Sequence, residues 1–288
     1  MRYPSKMRSL LSARLVLCSI SRTVKHKFMH NLTKLWHARE LLYMLTWRDI
    51  SIKYKQSVMG LLWAVLMPAL IVAAGALVRI GAAHLAGTTV SSADISSVMV
   101  RAVTWAFMVS SVRFGTSSLT GNNNLVSKIA FPKETFPIAA VMAAGVDYLV
   151  SLVALVLALI FMGWTPTLHV LWTLPLLALT LLLCAGISIY LSAANLFYRD
   201  VKYLVEIFLT YAIFFTPVLY EAAILGKWAK YLMLNPFSPL LEALDAAVVK
   251  HQNPDPYWTA YSAVIALAVL VLGYLAFKRF ESTFAERI

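Results

Sequence analysis

Charge is scarce in this 288-residue chain: Asp, Glu, Lys and Arg together make 13% of it, against 60% hydrophobic residues and a mean hydropathy of +0.75. A soluble domain carries about 25% charged residues, so that class is excluded and an integral membrane protein is expected. Acids are the scarcer sign, 13 against 25 Lys and Arg, for a net charge of +12. In a soluble chain such an excess points to nucleic acid, but its placement here excludes that partner. Twelve of the basic residues and only two acids, Glu40 and Asp49, precede Gly60, so most of the surplus lies ahead of the first apolar run. There it acts as an anchor on anionic membrane lipids.

Cysteine is nearly absent. Cys18 lies in the basic tail and Cys184 inside an apolar run, which indicates neither a disulfide framework nor a thiolate metal site. No G-x-x-x-x-G-K-[ST] phosphate loop occurs, since Gly226-Lys227 is followed by Trp228, so ATP is not bound by that route. There is no H-E-x-x-H, no paired Asp-rich motif, and the six histidines are scattered. No metal site, haem or other cofactor is therefore expected on this chain. His84, His169 and His251 fall on the predicted outer side without a spacing that brings them together.

Long apolar runs are what the chain has. A bilayer core of about 30 Å needs about 20 apolar residues per helix, and six segments qualify: 58–80, 98–119, 138–161, 170–194, 203–220 and 258–277. The expected fold is all-α, with six transmembrane helices, an N-terminal amphipathic interfacial helix and short external re-entrant helices. The second segment carries Arg101 and Arg113, and the fifth is short, carries Glu206 and meets Pro217. Basic connections place the tail, Lys128, Lys133, Arg199, Lys202, Lys278, Arg279 and Arg287 on one side, so both termini are predicted cytoplasmic. The connection from residue 221 to 256 is too apolar for a free linker and too proline-broken to span, which predicts short helices re-entering the outer leaflet. Residues 1–33 form a basic tail of open role, superficially like a transit peptide, and the working chain beginning near Met29 is equally consistent with it.

Two polar stretches stand out. Residues 40–57 place Leu42, Leu45, Asp49, Ile52 and Gln56 on one helical row, with Trp47 and the cations Arg48, Lys53 and Lys55 on others. An amphipathic helix in the cytoplasmic interface and an ordinary juxtamembrane anchor both fit. Residues 121–137 hold an Asn cluster suited to capping a short helix, then Pro132 and Pro137, which predicts a cytoplasmic elbow or a short docking helix.

These residues carry a resemblance. Arg48-Asp49-Ile50 with Lys53-Tyr54-Lys55-Gln56-Ser57, Gly60-Leu61-Leu62-Trp63-Ala64, Gly121-Asn122 with Leu125-Val126 and Lys128, and Phe131-Pro132-Lys133-Glu134 with Pro137 occur in order. Asn195-Leu196-Phe197-Tyr198-Arg199-Asp200, Pro217-Val218-Leu219-Tyr220, Asn235-Pro236 and Phe284-Ala285-Glu286 follow. From about Lys34 onward the chain resembles the polysaccharide and O-antigen export permeases of the type-2 ABC transporter family. The resemblance implies a homodimer with two copies of a separate ATPase that binds ATP and magnesium, in the bacterial cytoplasmic (inner) membrane. It implies a permease domain over 58–277, a coupling helix at about 122–130, an interface helix over 34–57, an external gate over 221–250 and a cytoplasmic tail over 278–288. Coupling would fall to Asn122, Leu125, Val126, Lys128, Phe131 and Pro132, and the interface helix to Arg48, Asp49, Lys53 and Lys55. The turn at Arg199-Asp200 would either touch the ATPase or close on itself as an ion pair.

A glycan offers hydroxyls and C–H faces, which aromatic rings meet with many weak contacts. The expected channel residues are Trp63, Trp105, Phe107, Tyr203, Tyr211, Phe214 and Phe215, packing being the plain alternative. Arg113 is the candidate for the diphosphate of a polyprenyl-linked glycan, or else snorkels to the interface. Arg101 is expected to snorkel, or to pair with Asp147 or Glu206. The rival functions are export of a drug or lipid on the same fold, and an intramembrane transferase using Asp147 or Glu206.

Overall fold

The computed structural model describes residues 38–55, 59–60, 62–87, 89–128 and 131–284, so the tail over 1–33, Cys18, Gln56, Ser57, Ile129 and Arg287 lie outside the described residues. These residues are helical, with no strand among them. In chain order the α-helices are α1 (Arg39–Tyr54), α2 (Leu62–Ala86), α3 (Ser92–Ser117), α4 (Asn123–Lys128), α5 (Thr135–Phe161), α6 (Thr173–Phe197), α7 (Val201–Ala212), α8 (Ala229–Met233), α9 (Phe237–Val248) and α10 (Pro256–Phe280).

Local chemistry sets the boundaries. Ser91 and Asp94 form a capping box at the start of α3, the Ser91 hydroxyl accepting from Ala93 N–H and the Asp94 carboxylate from Ser91 N–H. Asp255 caps α10 by accepting from Tyr257 and Trp258 N–H, with Pro256 preset for the first turn. Gly163 ends the turn after α5 at φ +83°.

Among the described residues five helices are long and apolar enough to cross a membrane: Leu62–Gly81, Ser92–Ser117, Thr135–Phe161, Leu168–Phe197 and Pro256–Thr283. The first, second, third, fourth and sixth expected segments coincide with them. The fifth does not: α7 has 12 residues and tightens into a 3-10 turn over Ile213–Phe215. Thr216 is extended because Pro217 disfavours a helical residue before it.

The α3 helix is the axis of the bundle, 72% of its most apolar window being buried, against 11% for α2. Closeness between α6 and α10 rests on glycine: a Cβ at Gly186 would stand 2.7 Å from the Leu270 backbone, and one at Gly273 would stand 2.6 Å from the Gly186 carbonyl. Two apolar clusters fill the interior. One gathers Leu45 of α1, Val126 of α4, Phe136 of α5, Leu196 of α6 and Phe277 of α10 at one end. The other runs from mid-bundle to the opposite end, where Leu240, Leu241 and Leu244 of α9 join it.

Candidate functional site

The end formed around α1 and α4 carries the first group of candidates. Leu45 and Thr46 of α1 are buried, whereas Tyr43, Met44, Trp47 and Ile52 are exposed, so the predicted row is buried at Leu45 and open to the outside by Ile52, with Gln56 outside the described residues. Arg48 pairs with its neighbour Asp49 at 2.7 Å, and Lys55 is exposed. Lys53 and Tyr54 both donate to the Asp147 carboxylate of α5, which ties α1 to the bundle. Burial pushes the Tyr54 phenol above its ordinary pKa, and the accepting carboxylate adds to that, so this tyrosine remains a donor at neutral pH.

Asn122 caps backward, its amide donating to Ser118 O at the end of α3 rather than starting α4. Within α4, Leu125 and Val126 are packed inward; Lys128 ends it, with its side chain outside the described set. Phe131 meets Phe136 at 5.3 Å across the Pro132 elbow, and buried Glu134 holds Lys278 of α10 at 2.8 Å. The turn from α6 to α7 is fastened by buried Asn195, which donates to Thr120 and accepts from Lys202 N–H. Among the described residues no Arg199–Asp200 ion pair forms, so the self-closing reading of that turn is replaced by this amide clasp.

Mid-bundle, Trp63, Trp105, Phe107, Lys53, Arg113 and Asp147 line one cavity of about 520 Å3, whose walls are otherwise largely apolar. Trp105 and Phe107 are also core residues: Trp105 is edge-on to Phe237 at 6.2 Å and Phe107 stacks on Tyr148 at 4.8 Å. Arg113 pairs with Glu206 of α7 at 3.1 Å, both side chains about half exposed. On α7 only Leu209 and Ala212 are buried, while Tyr203 and Tyr211 of α7 and Phe214 and Phe215 of the 3-10 turn after it are all strongly exposed. The structure thus separates the seven predicted channel aromatics into three at the cavity and four exposed along α7 and its 3-10 turn.

The opposite end holds an ion cluster that sequence reasoning missed. Arg101 has a fully buried side chain and donates to Asp245 of α9 and to Tyr220 O, each at 2.6 Å. Glu221 and Glu242 stand 3.7 and 3.9 Å away, and Lys250 lies 3.2 Å from Glu221 and 3.5 Å from Asp245. Arg101 therefore does not snorkel, nor does it meet Asp147 or Glu206, which are taken by Lys53 and Arg113. The available signal was Glu242 and Asp245 on the apolar helix α9, acids that require a cation once buried. In the same region Thr167 lies 3.1 Å from His251 Nδ1 and 3.5 Å from His169 Nδ1, so two histidines far apart in sequence do converge. No group of three metal-binding side chains occurs among the described residues.

The predicted external segment is partly core. Its 3-10 stretch Ala222–Trp228 kinks at Gly226, φ +53°, and with α8 exposes Ile224, Trp228 and Tyr231. The α9 helix instead packs inward through Leu240, Leu241, Leu244 and Asp245.

Curated relatives show what this arrangement is similar to. The O-antigen export system permease protein RfbA of Klebsiella pneumoniae is 28% identical over 267 residues, 90% of this chain and 98% of the relative. The protein of the same name from Myxococcus xanthus is 29% identical over 263 residues, 88% of this chain and 98% of that one. A second from Klebsiella pneumoniae is 25% identical over 270 residues, 90% and 98% respectively. Residues 40–249 match the ABC-2 type transporter family model, a span from α1 through α9, and the chain accordingly belongs to that family as one of its multi-pass membrane proteins.

Proposed function

We propose that this chain is the permease subunit of an ATP-driven exporter that moves a lipid-linked cell-surface polysaccharide, such as O-antigen, outward across the bacterial cytoplasmic membrane. The observation that carries this reading is the similarity to three O-antigen export permeases over 98% of their length. In this reading two copies of the chain work with two copies of a separate ATPase, which binds ATP and magnesium. The α4 helix and the Phe131-Pro132 elbow dock on the ATPase. The α1 helix lies along the cytoplasmic interface, with Trp47 and Tyr43 toward lipid and Lys53 toward protein. The α7 helix, about 18 Å long at 1.5 Å per residue, completes a sixth crossing together with the residues up to Tyr220. Both termini are then cytoplasmic and the 221–250 segment is the external gate.

The glycan passes along the exposed aromatics of α7 and its 3-10 turn, which lend ring faces without charges that would hold it. Arg113 receives the diphosphate. The test is ATPase activity of the full chain co-purified with its candidate ATPase, in lipid, with and without polyprenyl-diphosphate glycan. Stimulation by glycan that is lost in Tyr211→Ala/Phe214→Ala is the expected result. Failure to co-purify overturns the ATP-driven reading, and a stable complex indifferent to glycan points to a drug or lipid as cargo.

A further inference from the structure

Two cations line the mid-bundle cavity, and each is already held by a carboxylate from another helix, but on unequal terms. Asp147, with a side chain 11% exposed, accepts from both Lys53 and Tyr54 and is locked between α1 and α5. Glu206 is 54% exposed, and its one described ion pair is with Arg113. An exposed pair of this kind is held weakly, whereas a largely buried carboxylate that accepts from two donors is not readily displaced.

An arginine at the edge of an apolar cavity in a bilayer meets a large excess of phospholipid headgroups carrying a single phosphate. Left bare, Arg113 would be occupied by them. Glu206 is held beside it on α7, 3.1 Å from the guanidinium, and competes on equal charge with any monoanion. A diphosphate carries a second anionic phosphoryl group and can reach Lys53, which lines the same cavity and lies 5.1 Å from the ring of Phe114. That second contact is what a single phosphate lacks.

From this geometry we propose that Glu206 is a resident counterion that sets the specificity of the cavity: it screens Arg113 from single-phosphate lipids and yields to a lipid diphosphate, which bridges Arg113 and Lys53. This rests on the export reading above and adds how the headgroup is selected. Displacement also frees α7 from its ionic hold on α3, so headgroup arrival loosens the helix that bears the exposed aromatics. The apolar walls, including Trp63, Met67 and Leu70, would cover the first isoprene units.

The full chain in phosphatidylcholine nanodiscs is titrated with polyprenyl diphosphate, using polyprenyl monophosphate, phosphatidylglycerol and inorganic pyrophosphate as competitors. Wild type is expected to prefer the lipid diphosphate at least tenfold over the lipid monophosphate, with inorganic pyrophosphate at least tenfold weaker than the lipid diphosphate. In Glu206→Gln and Glu206→Ala the two single-phosphate lipids should tighten at least tenfold, bringing the preference below threefold, while Glu206→Asp keeps it. Arg113→Gln should lose at least tenfold in diphosphate binding. An unchanged preference in both Glu206→Gln and Glu206→Ala overturns the counterion role and leaves the export reading standing. Wild-type protein that binds no polyprenyl phosphate overturns both, and equal binding of inorganic pyrophosphate overturns the lipid as the source of the diphosphate.

Discussion

Arg101 shows what a full charge needs in order to sit inside an apolar bundle. Its guanidinium meets Asp245 and a carbonyl at hydrogen-bonding distance, with two further acids and Lys250 around them, so the charge is neutralised within the protein. Desolvating such a pair costs about as much as its attraction returns, but removing one partner strands the other. Arg101→Leu alone, or Asp245→Leu alone, should therefore destabilise by about 3–5 kcal/mol, read as a lowered unfolding temperature in detergent. The double variant Arg101→Met/Asp245→Leu should recover part of that loss. A single variant as stable as wild type would show that the pair holds nothing. The sequence disclosed that Arg101 is costly in a membrane. Its partner lies 144 positions away and was not legible, because pairing across that separation depends on how α9 folds back on α3.

At the scale of elements, the crossing of α6 on α10 depends on two residues that lack a side chain. Any Cβ at Gly186 meets the Leu270 backbone, which cannot rotate away as a side-chain tip would. Gly186→Val should cost several kcal/mol by forcing the helices apart, seen as loss of monodisperse protein on size exclusion. Gly145 of α5 is the internal contrast: a Cβ there meets nothing within 4 Å, and Gly145→Ala should be neutral or stabilise by up to about 1 kcal/mol through helix propensity. If both substitutions behave alike, close approach is not what the glycine at 186 provides. The α7 helix shows the other side of element reading. Its apolar run promised a full span, but Pro217 and extended Thr216 stop it after 12 residues and a 3-10 turn.

For the whole molecule, the export reading places Tyr198, just after α6, and Tyr231, in α8, on opposite sides of the membrane. Both side chains are exposed. After Cys18 and Cys184 are replaced by Ser, Tyr231→Cys should react with an impermeant maleimide added outside, and Tyr198→Cys only after permeabilisation. Labelling of both from the same side would mean that the α7 segment does not cross.

Composition and hydropathy by themselves determined that the chain is an all-helical membrane protein, and located five of its long helices, because burial in lipid demands about 20 apolar residues with every backbone group bonded internally. The ordered motifs from Arg48 to Glu286 likewise sufficed for the family. Only the tertiary structure decided that Arg101 joins Asp245, that Lys53 and Tyr54 share Asp147, and that Arg113 meets Glu206. Hydropathy is a property of each segment taken alone, whereas a charge pair, a glycine crossing or a cavity exists only where two segments meet. Their meeting is set by packing that no local pattern records.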